Sequence, residues 1–595
     1  MCGYYFENKL LGSAKIKRIR SELLKRGRDD YNSLEVDGLT FLHARLAITG
    51  SNESGRQPKS SEKLILIFNG QIFNYRDLAN KYGFKIDDQT SDTEVLFNLL
   101  NAHLSVAGEI NFDFVSELDG FFSFLVYNRE LGQINILRDL VGKKPLYYKF
   151  DDGNLAVSSR ATSLLDYPSV SFNSEKLGRF ITHGEGLIDA QHWFKDIKVL
   201  LPGENMSFNL ENFSCSSTFF KAKQAHPDKD FGKLLFDAVR KRTYTTQATA
   251  FAVSSGVDST TLYKMSQQMA QLPKAITVAS LPLQTSEYPN LKKKLNLRDD
   301  EIELILLDNE SSSLSDVLLK AVDALEIGHS SSAIVPYFLL CEGVRELGYK
   351  VLIEGQGADE LFLGYDKYLL YASMQNLMRF KWFRAVKQLN IFRRFFGNKK
   401  TIFEFSRLLF PIIFRFQHLL WKSDKVVHPS VNLFGGSRQP SIYNSIRQFR
   451  EKELSGNLVN LLHYGDAIPL YVGVENRNPF CDLDLRKSIM ASKSLDDLVG
   501  ISGGKECLRE FSKTDLKLPH KTEPKIGFFT NTVAMLRKDK DFSAEVLAEF
   551  LVKHNIFRVG VTIQNVQNLP NNIYFRFCTI KAVISNLESK GFNFK

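Results

Sequence analysis

Cysteine is sparse and dispersed in this chain: six in 595 residues, at Cys2, Cys215, Cys341, Cys481, Cys507 and Cys578, with no Cys-x-x-Cys pair. That spacing points to neither a disulfide framework nor a zinc site, and it fits a reducing, cytoplasmic compartment. The first residues, Met-Cys-Gly-Tyr-Tyr-Phe-Glu-Asn, lack the basic and apolar regions of an export signal. The longest apolar-rich stretch, Thr401 to Trp421, is interrupted by Glu404, Arg407, Pro411, Arg415 and His418, so it does not read as a transmembrane helix. No Gly-x-x-x-x-Gly-Lys-[Ser/Thr] phosphate loop occurs; the nearest approach, Gly500 to Lys505, has the wrong spacing and is followed by Glu506.

The remaining composition is that of a globular protein, 44% hydrophobic with a mean hydropathy of -0.18. A chain this long exceeds one core; roughly three to four domain-sized units fit, and two large ones are expected. The net charge of +10 permits a nucleic-acid partner, but no nucleic-acid motif accompanies it.

The chain is organised around Ala248-Thr-Ala-Phe-Ala-Val-Ser-Ser-Gly-Val-Asp-Ser-Thr260. An apolar run ends there in a hydroxyl-rich turn, and Leu262, Met265 and Met269 follow at helical spacing. A strand-to-helix loop aims backbone N–H groups and a helix N-terminus at one point, which suits phosphate. Val253, Ser254, Ser255, Gly256 and Ser259 are the expected ATP-gripping residues, with Asp258 as a magnesium ligand. The loop resembles the Ser-Gly-Gly-x-Asp-Ser of enzymes that split ATP into AMP and pyrophosphate, with Ser255 replacing a glycine. A second strand-turn-helix pattern, Val351 to Tyr365, contributes Gly355 and Gln356 to the nucleotide and Asp359 to the metal. Short apolar runs at Thr249–Val253, Ala275–Leu281, Ile302–Leu307 and Tyr349–Ile353 alternate with helical segments, the pattern of a doubly wound parallel sheet with its ligand at the carboxyl ends of the strands.

Cys2 follows Met1, so loss of one residue places a thiol and a free α-amine on the same residue, nucleophile beside base; an amine pKa of roughly 7.7–8.0 suffices near neutral pH. Around it run His43-Ala-Arg-Leu-Ala-Ile48, Gln57-Pro58, Phe68-Asn-Gly-Gln-Ile-Phe-Asn-Tyr75, Thr90-Ser-Asp-Thr-Glu94, Leu118-Asp-Gly-Phe-Phe-Ser-Phe124 and Leu137 to Tyr148.

In that order these motifs resemble the N-terminal-nucleophile glutaminase domain of class II glutamine amidotransferases, specifically that of the asparagine synthetase family. The later segments Val351 to Tyr365, Asp466 to Asp482, Gly504-Lys505 with Leu508-Arg509, and Lys525-Ile-Gly-Phe528 are similar to its synthetase half. The resemblance implies an Ntn-type αββα sandwich over about 2–210, then a synthetase domain over about 211–595 with helical additions. It implies Arg45 on the glutamine carboxylate, Asp92 and Gln71 on its ammonium, and Asn69 with the Gly70 N–H as the oxyanion hole. Lys505 is expected over the phosphates, with ATP and Mg2+ as the nucleotide and ion. Besides Ser255, three residues depart from the family: Gln71 and Gln356 replace Glu, and Glu354 replaces Ser. Aspartate is the default acceptor; a uronic-acid sugar of surface polysaccharide and a catalytically silent regulatory relative are the alternatives. A homodimer is compatible with this reading.

Between Asp366 and Lys425 there are thirteen Lys/Arg against three Asp/Glu, interleaved with Phe, Trp and Leu. This insert, about 366–460, reads as amphipathic helices on the protein's own synthetase domain, with docking to a partner or membrane surface as the alternative. The tail from Asp541 to Lys595 reads as helical.

Overall fold

The computed structural model describes residues 2–105, 109–220, 230–269, 274–279, 288–306, 313–409, 426–431, 446–492, 498–499, 504–518 and 532–594. The Lys525–Phe528 match, the rest of Thr401 to Trp421 beyond 409, and much of the insert lie outside them.

Two six-stranded antiparallel sheets form the first half. One runs, in spatial order, β11 (Lys198–Val199), β8 (Tyr147–Asp151), β9 (Asn154–Ser158), β1 (Cys2–Glu7), β3 (Leu39–Arg45), β2 (Asp30–Val36); the other runs β13 (Cys215–Phe219), β12 (Glu204–Asn209), β7 (Gln133–Arg138), β6 (Gly120–Asn128), β5 (Leu64–Ile72), β4 (Lys59–Ser60). Strand alternation sorts their side chains. Tyr4, Phe6, Ile65, Ile67 and Leu125 fill the space between the sheets, whereas Leu64, Leu66 and Phe68 face outward onto Leu78, Val95, Leu96 and Leu99 of helices Tyr75–Tyr82 and Asp92–Ala102. Tyr5 and Leu42 meet Ile19 and Leu23 of helix Ser13–Leu23 on the opposite outer face. The result is a four-layer αββα sandwich. Its edge strand β13 extends to Phe219, past the boundary near 210 expected above.

The second half is built on one parallel sheet, ordered β16 (Ile302–Leu306), β15 (Lys274–Ala279), β14 (Thr249–Ala252), β17 (Val351–Ile353), β18 (Glu475–Arg477). Four of these strands coincide with the apolar runs. β18 carries Glu475, Asn476 and Arg477, all buried, and no apolar run announces it. Its two charges pair with each other: the Arg477 guanidinium donates to Glu475 at 2.6 Å and to the Arg242 carbonyl at 2.8 Å. A polar strand is tolerated in a core when its charges are paired there.

Buried charge joins the halves. Asp466 of helix Leu458–Val472 accepts Arg26 at 2.6 Å and also Lys144, while Arg242 joins Asp119 (2.8 Å) to Asp482 (2.6 Å). The chain's last helices fold back on this body: Asn571–Ser589 is buried along most of its length, and β19 (Asn593–Phe594) pairs in parallel with β10 (Ser169–Val170).

Candidate functional site

Cys2 begins β1 in register with Arg45 of β3, and β5 brings Asn69 across from the second sheet. The Cys2 nitrogen donates to Asn69 Oδ1 at 3.1 Å. The same carboxamide's Nδ2 is buried with no partner, an unsatisfied donor of the kind that a developing oxyanion would accept from. Asn69 and Gly70 do not form a hairpin turn; they sit within β5, where Gly70 pairs with Phe122. A Cβ on Gly70 would stand 2.3 Å from the Phe121 carbonyl, so glycine is required by the close strand approach.

Arg45 is buried and its guanidinium is held in a carbonyl cage, donating to Thr49 (3.1 Å), Ser51 (3.2 Å) and Asn52 (3.3 Å). Asp92 opens helix Asp92–Ala102; its carboxylate accepts the Ile72 N–H at 3.0 Å and the Thr49 hydroxyl at 3.2 Å. Burial raises its pKa, opposed chiefly by the Ile72 hydrogen bond. Cys2, Arg45, Gly70, Gln71 and Asp92 line one small cavity. Burial would raise the Cys2 thiol, yet in the chain that still carries Met1 the terminal ammonium, His43 and Arg45 together lower it to about 6; His43 and Arg45 favour the thiolate whether or not Met1 is present. His43 was not singled out from the sequence as a site residue. It heads the His43 to Ile48 motif, and position Tyr4↔His43 in the β1/β3 register places it two pairs from Cys2.

The second constellation lies at the carboxyl ends of β14 and β17. The Ser254 N–H donates to Ser259 Oγ at 3.0 Å and the Gly256 N–H to Ser254 Oγ at 3.3 Å, closing the turn before helix Val257–Ser266. Val253 ends the strand, its N–H donating to the Ile276 carbonyl, and the Ser255 carbonyl accepts Lys294 at 2.7 Å. Gly355 packs on Asp258, where a Cβ would meet that residue's Cβ at 3.0 Å.

Lys505 bridges the two expected metal carboxylates, its ammonium 2.6 Å from both Asp258 Oδ2 and Asp359 Oδ1. Burial opposes its charge, but Asp258 and then Asp359 raise its pKa. The residue sits at φ 58, a left-handed conformation that side chains adopt at some cost, and its N–H donates to the Phe362 carbonyl at 3.0 Å. Gly364 leaves room for this: a Cβ there would lie 2.0 Å from Lys505 Cε. A cation thus already stands between the carboxylates, and Asp258 Oδ1 remains buried without a hydrogen-bond partner. The unused Asp258 Oδ1, with the Asp359 carboxylate beside it, fits a magnesium ion, which takes few protein carboxylates and completes its shell from phosphate and water. Among the described residues no group of three or more His, Cys, Asp or Glu forms a metal site.

Gln356 does not join these carboxylates. Its Oε1 lies over Gly465, 2.4 Å from where a Cβ would stand, and is buried without a hydrogen-bond partner. Glu354 is also turned between the halves. Its Oε2 accepts the Tyr337 hydroxyl at 3.0 Å and the Asn476 amide, and Lys143 of the sandwich reaches the same Asn476 at 2.6 Å. Burial pushes Glu354 up to about 7, with Tyr337 and Lys143 opposing it.

The family described as asparagine synthase matches residues 230–561, more than half of the chain. The chain belongs to that family. Residues 1–220 match the family described as glutamine amidotransferase domain. A putative glutamine-hydrolyzing asparagine synthetase of Methanocaldococcus jannaschii is 27% identical over 361 residues, covering 57% of this chain and 61% of that protein. An asparagine synthetase of Sandersonia aurantiaca is 26% identical over 421 residues, covering 67% and 74%. The glutamine phosphoribosylpyrophosphate amidotransferase of B. subtilis overlays 51% of this chain and 81% of its own at 14% identity and a TM-score of 0.27, too low to carry an argument.

Proposed function

We propose that the protein is a glutamine-hydrolysing, ATP-consuming C–N ligase that amidates a carboxylate, with L-aspartate as the acceptor. The observation that supports this most directly is the coexistence of two complete constellations in one chain, the depressed Cys2 thiol facing the unpartnered Asn69 amide and the Asp258–Lys505–Asp359 bridge. The sandwich through β13, residues 2–219, is the glutaminase half of this reading, and the remainder of the chain from residue 230 is the synthetase half.

At the first site, Cys2 Sγ attacks the side-chain amide of glutamine once Met1 is removed and the α-amine takes the thiol proton. Asn69 Nδ2 and the Gly70 N–H stabilise the oxyanion, while Arg45 holds the α-carboxylate and Gln71 and Asp92 the ammonium. Ammonia is released as the thioester forms, and water completes glutamate. At the second site the acceptor carboxylate attacks the α-phosphorus of ATP, pyrophosphate leaves, and ammonia displaces AMP from the acyl-adenylate. Val253, Ser254, Ser255, Gly256, Ser259, Gly355 and Gln356 shape the nucleotide site. Asp258 and Asp359 would hold magnesium, which when bound would offset phosphate charge. Lys505, kept protonated by its raised pKa, would turn from the two carboxylates to the phosphates.

A second acceptor, a uronic-acid sugar, is supported by Glu354 and Gln356, which alter the polar groups behind the second loop. A site whose groups match one acceptor rejects analogues that leave them unpaired. Pyrophosphate release in the presence of ATP, magnesium, ammonium and each candidate acid tests the proposal. Release with aspartate and asparagine formation are expected. Release with sugar acids alone replaces the acceptor, and no release with any carboxylate overturns the ligase reading.

A further inference from the structure

The insert packs on its own domain along one side only. Helix Asp366–Met378 buries Tyr368, Leu369, Leu370 and Ala372 in the synthetase core, and the following helical segment from Trp382 contributes Ala385 and Phe392. Between them the chain turns through Phe380 at φ 59. At this tip the packing stops: Met378 is 62% exposed, Phe380 79%, Trp382 59%, Phe383 81% and Val386 53%. Five of the sixteen large apolar side chains found exposed among the described residues therefore fall within nine consecutive positions. Phe380 and Trp382 pair edge to face with centroids 6.3 Å apart, so the aromatic surface is preformed.

Basic residues alternate with these rings: Arg379, Lys381, Arg384 and Lys387. From Lys367 to Phe403 the sequence has nine Lys/Arg and no Asp or Glu. A cluster of this kind is exposed, aromatic and of one charge sign. The missing acids argue against a protein partner of mixed charge. Aromatic rings that settle at the headgroup level, flanked by cations that meet anionic lipid, are the combination a membrane interface favours. No helix among the described residues is long and apolar enough to cross a membrane, so attachment through this tip is peripheral and reversible.

We propose that the hairpin tip Met378–Lys387 docks the protein on an anionic lipid surface, with Phe380, Trp382 and Phe383 inserted among the headgroups and Arg379 and Lys387 on lipid phosphates. The full-length chain is to be co-sedimented with vesicles of phosphatidylcholine alone and of equal parts phosphatidylcholine and phosphatidylglycerol. Partition at least about tenfold higher on the anionic vesicles is expected, weakening as salt shortens the Debye length. The triple variant Phe380→Ser, Trp382→Ser, Phe383→Ser should lose about tenfold or more, and Arg379→Gln with Lys387→Gln several-fold. Trp382 emission should shift to the blue on anionic vesicles, and Trp382→Phe should lack that shift. Because these side chains are exposed, each variant should keep the wild-type thermal midpoint. Equal partition on both vesicle types, or wild-type partition of the triple variant, overturns the proposal. So does concentration-dependent self-association that the triple variant abolishes without any vesicle binding, which assigns the tip to a second copy of the chain.

Discussion

At Cys2 every contributing group sits on a paired strand or at the first turn of a helix packed on one: Cys2 on β1, Arg45 on β3, Asn69 and Gly70 on β5, Asp92 at a capped helix start. At Lys505 the contributors lie beyond the strand ends: Asp258 and Asp359 in the first turns of helices Val257–Ser266 and Ala358–Leu361, entered through the Ser254–Gly256 and Gly355–Gly357 turns, and a lysine held at positive φ. The strand-built site already has its geometry, with hydrogen bonds between its own members. The site beyond the strand ends holds itself together by placing its ammonium on its two carboxylates, a pairing that nucleotide and ion must break. Strands fix position through pairing on both sides, whereas segments at sheet ends gain reach by giving that up.

The sharpest break of this comparison is Cys2→Ala. Removing a nucleophile costs roughly 10^4–10^6 in rate, so glutamine-dependent synthesis should vanish while ammonium-dependent synthesis persists, as read by amide product from each nitrogen source. The same site predicts a pH profile. Once Met1 is lost the base is the α-amine of Cys2 itself, which must be neutral to take the thiol proton. Glutaminase kcat/KM should therefore fall as pH drops below roughly 7.7–8.0, the ordinary range of an α-amine. Persistence of glutaminase turnover in Cys2→Ala would return Cys2 to a core position.

Asp466 ties the two sites into one body, and its loss ranks next. Burial alone would raise its pKa, but Lys144 and Arg26 hold it well below the ordinary carboxylate range. Asp466→Asn leaves those two cations buried and unpaired, which costs about 3–5 kcal/mol. Urea unfolding should shift to a lower midpoint, and separation into two transitions would show that the halves can lose each other without both unfolding. An unchanged midpoint would mean that the cations find other partners.

Asn69→Ala follows, at about 2.7–4 kcal/mol of transition-state stabilisation for one oxyanion donor. It should lower glutaminase kcat with little change in KM, since the orphaned Nδ2 meets its acceptor only as the oxyanion forms. A change confined to KM would make Asn69 a holder of ground-state glutamine instead.

What the sequence disclosed follows the same division. The sandwich was readable only through the family resemblance carried by the motifs around Cys2, Arg45, Asn69 and Asp92, which the structure places on β1, β3 and β5 and at a helix start. The four strands of the parallel sheet were readable as apolar runs. β18 was not, since Glu475-Asn-Arg477 is stabilised by long-range partners, Arg242 among them, that no local pattern reports. His43 was hidden for the opposite reason: it sits in a quoted motif, but only strand pairing places it beside the thiol. Gln356 was expected at the nucleotide, and only the structure shows its carboxamide oxygen packed over Gly465 rather than beside Asp258 and Asp359.

The smallest expected effect concerns Glu354, and it bears on how an ammonium ion arriving at the second site becomes a nucleophile. Ammonium must lose a proton before it can attack an acyl-adenylate, and the neutral amide of Gln356 cannot take it. Glu354 stands two residues upstream, buried between the halves, with Oε2 held by Tyr337 and Asn476 and with Lys143 on the sandwich side. Burial lifts its carboxyl to about 7, so the acid is protonated below that pH and able to accept a proton above it. Wild-type ammonium-dependent synthesis should therefore rise as pH increases through about 7. Glu354→Gln should remove that limb and lower the rate at pH 8 a few-fold, with glutaminase kinetics unchanged because Cys2 and its partners lie on other strands. Since Tyr337 and Asn476 can still donate to an amide oxygen, the variant should fold, and its thermal midpoint checks this. Superimposable profiles would make Glu354 a structural acceptor for Tyr337 and Asn476, and would place proton removal on the bulk solvent side of the nucleotide loop.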